Sequence, residues 1–417
     1  MKKIVVEGSH PLYGQLHVSG AKNSVLPLIA ATLLADGVST IDESPWLSDV
    51  DTMCRVLDHL GAKTNYQSAR LSIDTATLNN NDPPSELVRN MRASFLIMGP
   101  LLARFGRIRI SLPGGCAIGA RPIDLHLKGF EAMGADIVLD QGYIEASAKR
   151  LHGAQIYLNF PSVGATENLI MAATLADGLT TIHNAAHEPE IIDLSNLLGV
   201  MGANIKGAGT NTIRIEGVGA LAPATHTVIP DRIEAGSFMV MAAATGGELI
   251  LNNVVPEHLR SLTVKLAEAG AQIEHSLDAL HILGGASVLP VDIKTLPYPG
   301  FPTDMQAQMM ALLTKASGSG TVTETVFENR FMHATELQKM GADIRINGNT
   351  AIINGVTKLH PAQVEATDLR AGAAMIIAAM MAEGVTEIGN IHHIERGYED
   401  ICGKLRSVGA KIDIIDV

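Results

Sequence analysis

Six times along the chain a helical stretch ends in Gly-Ala: Leu60-Gly61-Ala62, Met133-Gly134-Ala135, Met201-Gly202-Ala203, Ala269-Gly270-Ala271, Met340-Gly341-Ala342 and Val408-Gly409-Ala410. The period is about 70 residues, so the sequence is six copies of one supersecondary unit. In the fourth copy, Arg232 to Ala244 reads as an Ala- and Met-rich helix stopped at Gly246-Gly247, and Glu248 to Leu251 as a short strand. Leu259 to Ala269 has helical periodicity and ends at Gly270, a residue suited to the left-handed position after a helix. Alternating strands follow around His275 to Ala279. The other five copies keep this order, and the fold class is α/β.

A second landmark is a Leu four residues after a turn-forming residue: Gly8 and Leu12, Asp74 and Leu78, Ser147 and Leu151, Gly217 and Leu221, Gly285 and Leu289, Gly355 and Leu359. The first precedes any helix, whereas the sixth Gly-Ala lies at the other end. Residues 1 to 20 are therefore expected to supply the hairpin strand that the sixth copy lacks. Both termini would then close one discontinuous domain. Two rings of three copies are expected, since an open array would carry distinct polar caps.

Chemistry should reside where the copies differ. Counting back 16 residues from Gly37, Gly106, Gly178, Gly247, Gly320 and Gly384 reaches Ala21, Asn90, Ser162, Asp231, Asp304 and Asp368. Five of these are N-cap types, whose side-chain oxygens satisfy N–H groups of the first turn. Only Ala21 is not, and an uncapped helix start beside Lys22 offers N–H donors and positive dipole to an anion. A water-capped start with a surface Lys is the plainer alternative. Asp304 follows the Pro-rich stretch 297–303, so it reads equally as a cap or as a carboxylate aimed into a cleft as a base.

From Gly106 to Gly134 is 28 residues, against 21 to 25 for the corresponding interval in the other copies. The excess falls in the Gly-rich stretch 111–122, which holds Cys116 between glycines and near Arg121. This reads as a mobile functional loop with a reactive thiol, the alternative being a small residue under a tight turn. Cys54 and Cys402 sit inside second helices and read as buried hydrophobes. Basic residues gather near helix starts: Lys22, Arg92, Arg121, Arg232, Arg370 and Arg396, with Arg330 in a turn. Together they suggest a cationic cleft, and Arg pairs in bidentate fashion with phosphate or carboxylate.

A formal net charge of −12 argues against nucleic acid or an anionic membrane as partner. No apolar run reaches the roughly 18 residues of a membrane span. Three cysteines without metal spacing suit a reducing compartment, and no signal peptide is visible, so a cytoplasmic protein is expected. No phosphate-binding P-loop, dinucleotide fingerprint or metal-ligand spacing stands out, so neither cofactor nor metal is expected.

These stretches together resemble the enolpyruvyl transferases. They are 19–23, 91–94, 112–122, 162–166, 301–306, 323–330, 366–370 and 395–398, and they span essentially the whole chain. The resemblance implies two inside-out α/β barrel domains, each of three repeats, with the active site in the interdomain cleft. It implies one domain of residues 22–229 and another of residues 1–21 plus 230–417. The implied reaction transfers the enolpyruvyl group of phosphoenolpyruvate to the 3′-hydroxyl of UDP-N-acetylglucosamine with release of phosphate, the first committed step of peptidoglycan precursor synthesis. Both partners are small molecules.

By the family's pattern Cys116 is the loop proton donor. Lys22, Arg92, Arg121, Arg370 and Arg396 hold phosphate or carboxylate, with Lys22 and Arg396 also counted among the catalytic groups and Arg330 among the substrate contacts. Asn23 and Asp304 contact the sugar, Asp304 as base for its hydroxyl. The nucleotide-sugar site is implied at Arg121, Pro122, Ile123, Asp124 and Leu125, at Phe160, Pro161, Ser162 and Val163, and at Val326.

Overall fold

A computed structural model describes residues 2–114 and 123–416. Cys116, Arg121 and Pro122 lie outside the described residues. Six short apolar helices recur, one per copy: α1 (Lys22–Ala31), α2 (Met98–Phe105), α3 (Val163–Ala173), α4 (Arg232–Thr245), α5 (Gln306–Leu313) and α6 (Leu369–Met381). α5 buries every residue, and α6 all but Leu369. A helix that is apolar all round has no face to give to water, so it must be core.

A short strand follows each of these helices, as Glu248–Asn252 follows α4. An amphipathic second helix comes next, such as Arg260–Glu268, then a hairpin such as Gln272–His275 with Ala279–Leu283. The glycine of every Gly-Ala ends its second helix at positive φ, from 89° at Gly134 to 108° at Gly202. A side chain there would meet the left-handed penalty, which is why the pair marks each copy. Strand residues alternate, with Leu249, Leu251, Leu280 and Ile282 turned to the core.

The described strands form six sheets, five of four strands and one of three. In each four-stranded sheet three strands pair antiparallel, and a strand lent by a neighbouring copy pairs parallel at one edge. Gln155–Tyr157 runs parallel to Leu179–His183, and Ile293–Lys294 parallel to Ser319–Thr323. Thr225–Thr227, at the end of the third copy, returns to pair in parallel with Val38–Asp42 of the first. Tyr13–His17 likewise runs parallel to Glu248–Asn252 of the fourth. Lys2–Glu7 lies between Val385–Gly389 and Lys411–Asp416, with Ile4 opposite both Ile388 and Ile414.

Two compact units result: residues 2–19 with 230–416, and residues 20–114 with 123–229. Each has its own hydrophobic core. In the first, α4, α5 and α6 pack on one another; in the second, α3 packs on α1 and α2.

Helix starts depart from the expected caps in two copies. Ser162, Asp231 and Asp368 do cap α3, α4 and α6, Asp231 accepting from Ile233 N at 2.7 Å and Glu234 N at 3.1 Å. Ala21 precedes α1 with no side-chain cap. Asn90, expected as a cap, instead ends the helix Ser85–Asn90, and a 3-10 segment, Arg92–Ile97, leads into α2. Pro100 has no N–H for the carbonyl of Leu96 and its ring crowds it, which favours the tighter turn there. Asp304, the other exception, lies inside the 3-10 turn Thr303–Met305 rather than before a helix; its carboxylate faces two guanidiniums.

Candidate active site

In the unit of residues 2–19 and 230–416, three elements converge on Asp304. Arg330, in the turn before helix His333–Lys339, donates from Nη2 to Oδ1 at 2.7 Å. Arg370, second residue of α6, donates to Oδ2 from Nη2 at 3.1 Å and from Nε at 3.3 Å. Both arginines are almost wholly out of water, with side chains 5% and 3% exposed against 25% for Asp304. Among the described residues Arg370 Nη1 meets no hydrogen-bond acceptor although it is buried. An unsatisfied buried guanidinium donor is costly, and an anionic ligand would relieve it.

Burial alone would depress the Arg370 guanidinium, but the facing Asp304 carboxylate, with Tyr398 and Asp231, more than offsets this and raises its pKa. The Tyr398 ring lies 5.5 Å from that guanidinium, and its hydroxyl meets Ser237 Oγ at 2.8 Å and Gln308 Nε2 at 3.3 Å. Burial pushes the Tyr398 phenol up, and the Arg370 charge opposes that. Arg396 is two residues before Tyr398, in a turn between the 3-10 segment Ile391–His393 and helix Ile401–Ser407 rather than at a helix start. Val326 is anchored by its N–H, which donates to Glu324 Oε1 at 2.8 Å, and Arg330 lies 5.2 Å from the Phe327 ring.

The unit of residues 20–114 and 123–229 holds a second group. Lys22 opens α1 and pairs through Nζ with Asp49 at 2.9 Å, and Asn23 follows it. Arg92 opens the 3-10 segment that packs on α1. Ile123, Asp124 and Leu125 begin helix Asp124–Ala132, while Phe160, Pro161, Ser162 and Val163 lead into α3.

One buried polar knot joins these starts. Asn168 donates from Nδ2 to Phe95 O at 3.0 Å, meets His126 Nδ1 at 3.1 Å, and accepts from Gly99 N at 2.7 Å. Burial, with the charge of Arg92, lowers the His126 pKa to about 3, so the ring is neutral near pH 7. Phe160 stays 42% exposed, an apolar surface beside polar helix starts. Asp124 pairs with Lys128 at 3.3 Å, a helix-surface contact.

Reading the residues alone missed Thr303, Gln308, Glu324 and Tyr398. Thr303, Glu324 and Tyr398 lie within the stretches that carry the family resemblance, but nothing in their spacing reveals the contacts they make. No group of three or more His, Cys, Asp or Glu able to hold a metal occurs among the described residues, and no described helix is long and apolar enough to cross a membrane.

The family model of EPSP synthase (3-phosphoshikimate 1-carboxyvinyltransferase) matches residues 6–405, and the chain belongs to this family of enolpyruvyl transferases. It is 59% identical to UDP-N-acetylglucosamine 1-carboxyvinyltransferase 2 of Carboxydothermus hydrogenoformans over 99% of both chains. It is 58% identical to UDP-N-acetylglucosamine 1-carboxyvinyltransferase 1 of Caldanaerobacter subterraneus subsp. tengcongensis, over 98% of this chain and 99% of that one. Among solved structures, the enolpyruvyl transferase NikO from Streptomyces tendae matches with a TM-score of 0.90 at 24% identity, covering 100% of this chain and 99% of that one. EPSP synthase from Acinetobacter baumannii matches with a TM-score of 0.78 at 18% identity over the full length of both. At those identities the structural likeness speaks for the mixed α/β fold alone.

Proposed function

We propose that this chain is a transferase that moves the enolpyruvyl group of phosphoenolpyruvate to the 3′-hydroxyl of UDP-N-acetylglucosamine and releases phosphate, in the cytoplasm, at the entry to peptidoglycan precursor synthesis. Full-length relatives at 58–59% identity that carry this acceptor in their names support the reading. The observation that carries it at the site is Asp304 between two buried guanidiniums, with a further guanidinium nitrogen of Arg370 left for an anion. The six apolar helices and six sheets support an arrangement of two inside-out barrels of three repeats each. The proposed domains are residues 22–229 and 1–21 plus 230–417.

Protonation of phosphoenolpyruvate at C3, by Cys116 in this reading, leaves an oxocarbenium-like centre at C2. The sugar hydroxyl adds there as its proton passes to Asp304, giving a tetrahedral ketal. A C3 proton then returns to the Cys116 thiolate while phosphate departs with the proton held by Asp304, which forms the enol ether of the product and resets both groups. An anionic substrate group bound at Arg370 Nη1 weakens that guanidinium's hold on Asp304 and frees a carboxylate oxygen for the hydroxyl. Lys22, Arg92, Arg121 and Arg396 hold the remaining charge, and cations fixed before the reaction stabilise charge that develops in it. Asn23, the 121–125 and 160–163 stretches and Val326 hold the nucleotide sugar.

Phosphate release that requires both substrates is the test, with shikimate 3-phosphate as the alternative acceptor. A chemical test addresses the thiol: burial pushes the Cys54 and Cys402 thiols up to about 12 and about 11, so neither supplies thiolate near neutral pH. Fosfomycin should therefore add once, at Cys116, and Cys116→Asp should abolish the adduct by intact mass. Peptide mapping of the adduct to Cys54 or Cys402 would contradict the assignment.

A further inference from the structure

We propose that Glu324 is the positioning residue for Asp304, acting through Thr303 and Arg330, and that it sets the Val326 loop at the same time; this rests on the transferase reading above. Glu324 follows strand Ser319–Thr323 and is 2% exposed. Its backbone is fixed by an N–H bond to Asn349 O at 2.8 Å. Oε1 accepts from Thr295 Oγ1 at 2.7 Å, Val326 N at 2.8 Å and Phe327 N at 3.3 Å, and Oε2 accepts from Thr303 Oγ1 at 2.7 Å.

A carboxylate only accepts, so the Thr303 hydroxyl hydrogen must point at Glu324 and its lone pairs must point away. Arg330 Nη1 donates to Thr303 Oγ1 at 2.8 Å, while Nη2 of the same planar group donates to Asp304 Oδ1. The direction of every proton from Glu324 to Asp304 is thereby fixed, and a guanidinium fork held on one tine presents the other in a set orientation. The same carboxylate holds the two N–H groups of the loop that carries Val326 and Phe327. One buried acid therefore governs both the reacting carboxylate and its neighbouring loop.

The two arms can be separated. Gln at 324 cannot serve all four donors: with Oε1 kept on Thr295, Val326 and Phe327, its amide must face Thr303 and reverse that hydroxyl. Glu324→Gln and Thr303→Val should each lower kcat by roughly tenfold or more, the scale of a hydrogen bond to a charged group, with KM for UDP-N-acetylglucosamine little changed. The double variant should be no worse than either single, because both cut one chain. Thr303→Ser, which keeps the hydroxyl, should restore most of kcat, and Glu324→Ala should additionally raise KM for the nucleotide sugar through the loop. Full kcat in Thr303→Val with the wild-type melting temperature, or multiplicative losses in the double variant, would overturn the proposal. If the wild-type chain releases no phosphate with both substrates, the transferase reading fails instead, and the two failures are distinct.

Discussion

Arg370 keeps its charge while almost wholly out of water because Asp304 faces it, and this dependence runs both ways. Asp304→Asn keeps the shape but removes the compensating charge and the proton acceptor. A fall in kcat of about 10²–10⁴ is expected, measured by phosphate release, as for loss of a positioned base. Asp304→Ala should also lower the urea midpoint, since removing one partner of a buried pair costs up to about 3–5 kcal/mol. Two buried groups give opposite pH dependences. His126 is held neutral with a pKa of about 3, so between that value and the unfolded value of about 6.5 the unfolded chain binds more protons. Stability is therefore lost as pH falls through this window, by up to about 1.4 kcal/mol per pH unit, and His126→Gln should flatten that slope in melts. Glu167 is raised well above the usual carboxylate range by burial and then by Glu190 and Glu188, so the folded chain holds this proton to higher pH than the unfolded chain and stability falls as pH rises above about 4.5. Glu167→Gln should remove that loss, and a variant melting curve with the wild-type pH slope would count against it. Neither group announces itself in sequence: nothing in the spacing of His126 or Glu167 shows that their side chains leave water.

Helix ends separate what was legible from what was not. The six glycines at positive φ are readable because only one residue type suits that conformation. Caps are readable where the helix begins on the counted residue, as at Ser162, Asp231 and Asp368. The rule breaks at Asn90 and Asp304, where a 3-10 turn precedes the helix and shifts its start. For Asp304 the break matters to function, because its carboxylate meets two guanidiniums. Asp231→Ala should destabilise α4 by about 1 kcal/mol through its two orphaned N–H groups, visible as a lowered melting temperature. An unchanged melting temperature would mean that the cap is redundant. The arginines were visible as a set, but their partners were not. Arg330 and Arg370 are 26 and 66 residues from Asp304, and no local pattern joins them.

At the scale of the molecule, the repeat reveals the number of copies and strand exchange explains how three of them associate. Each unit depends on a strand that returns from far along the chain: Thr225–Thr227 in one, and Lys2–Glu7 with Tyr13–His17 in the other. Deleting residues 2–17 should therefore unfold the unit of residues 230–416 and leave that of residues 20–229 cooperative, since their cores are separate. Limited proteolysis should yield a resistant fragment near residues 20–229, and uniform digestion would contradict this. The most direct measurement is phosphate release on mixing phosphoenolpyruvate with UDP-N-acetylglucosamine. The account predicts one phosphate per enolpyruvyl group transferred, none with either substrate alone, and loss of the signal in Asp304→Asn. Release with shikimate 3-phosphate instead, or none with both substrates, would contradict it.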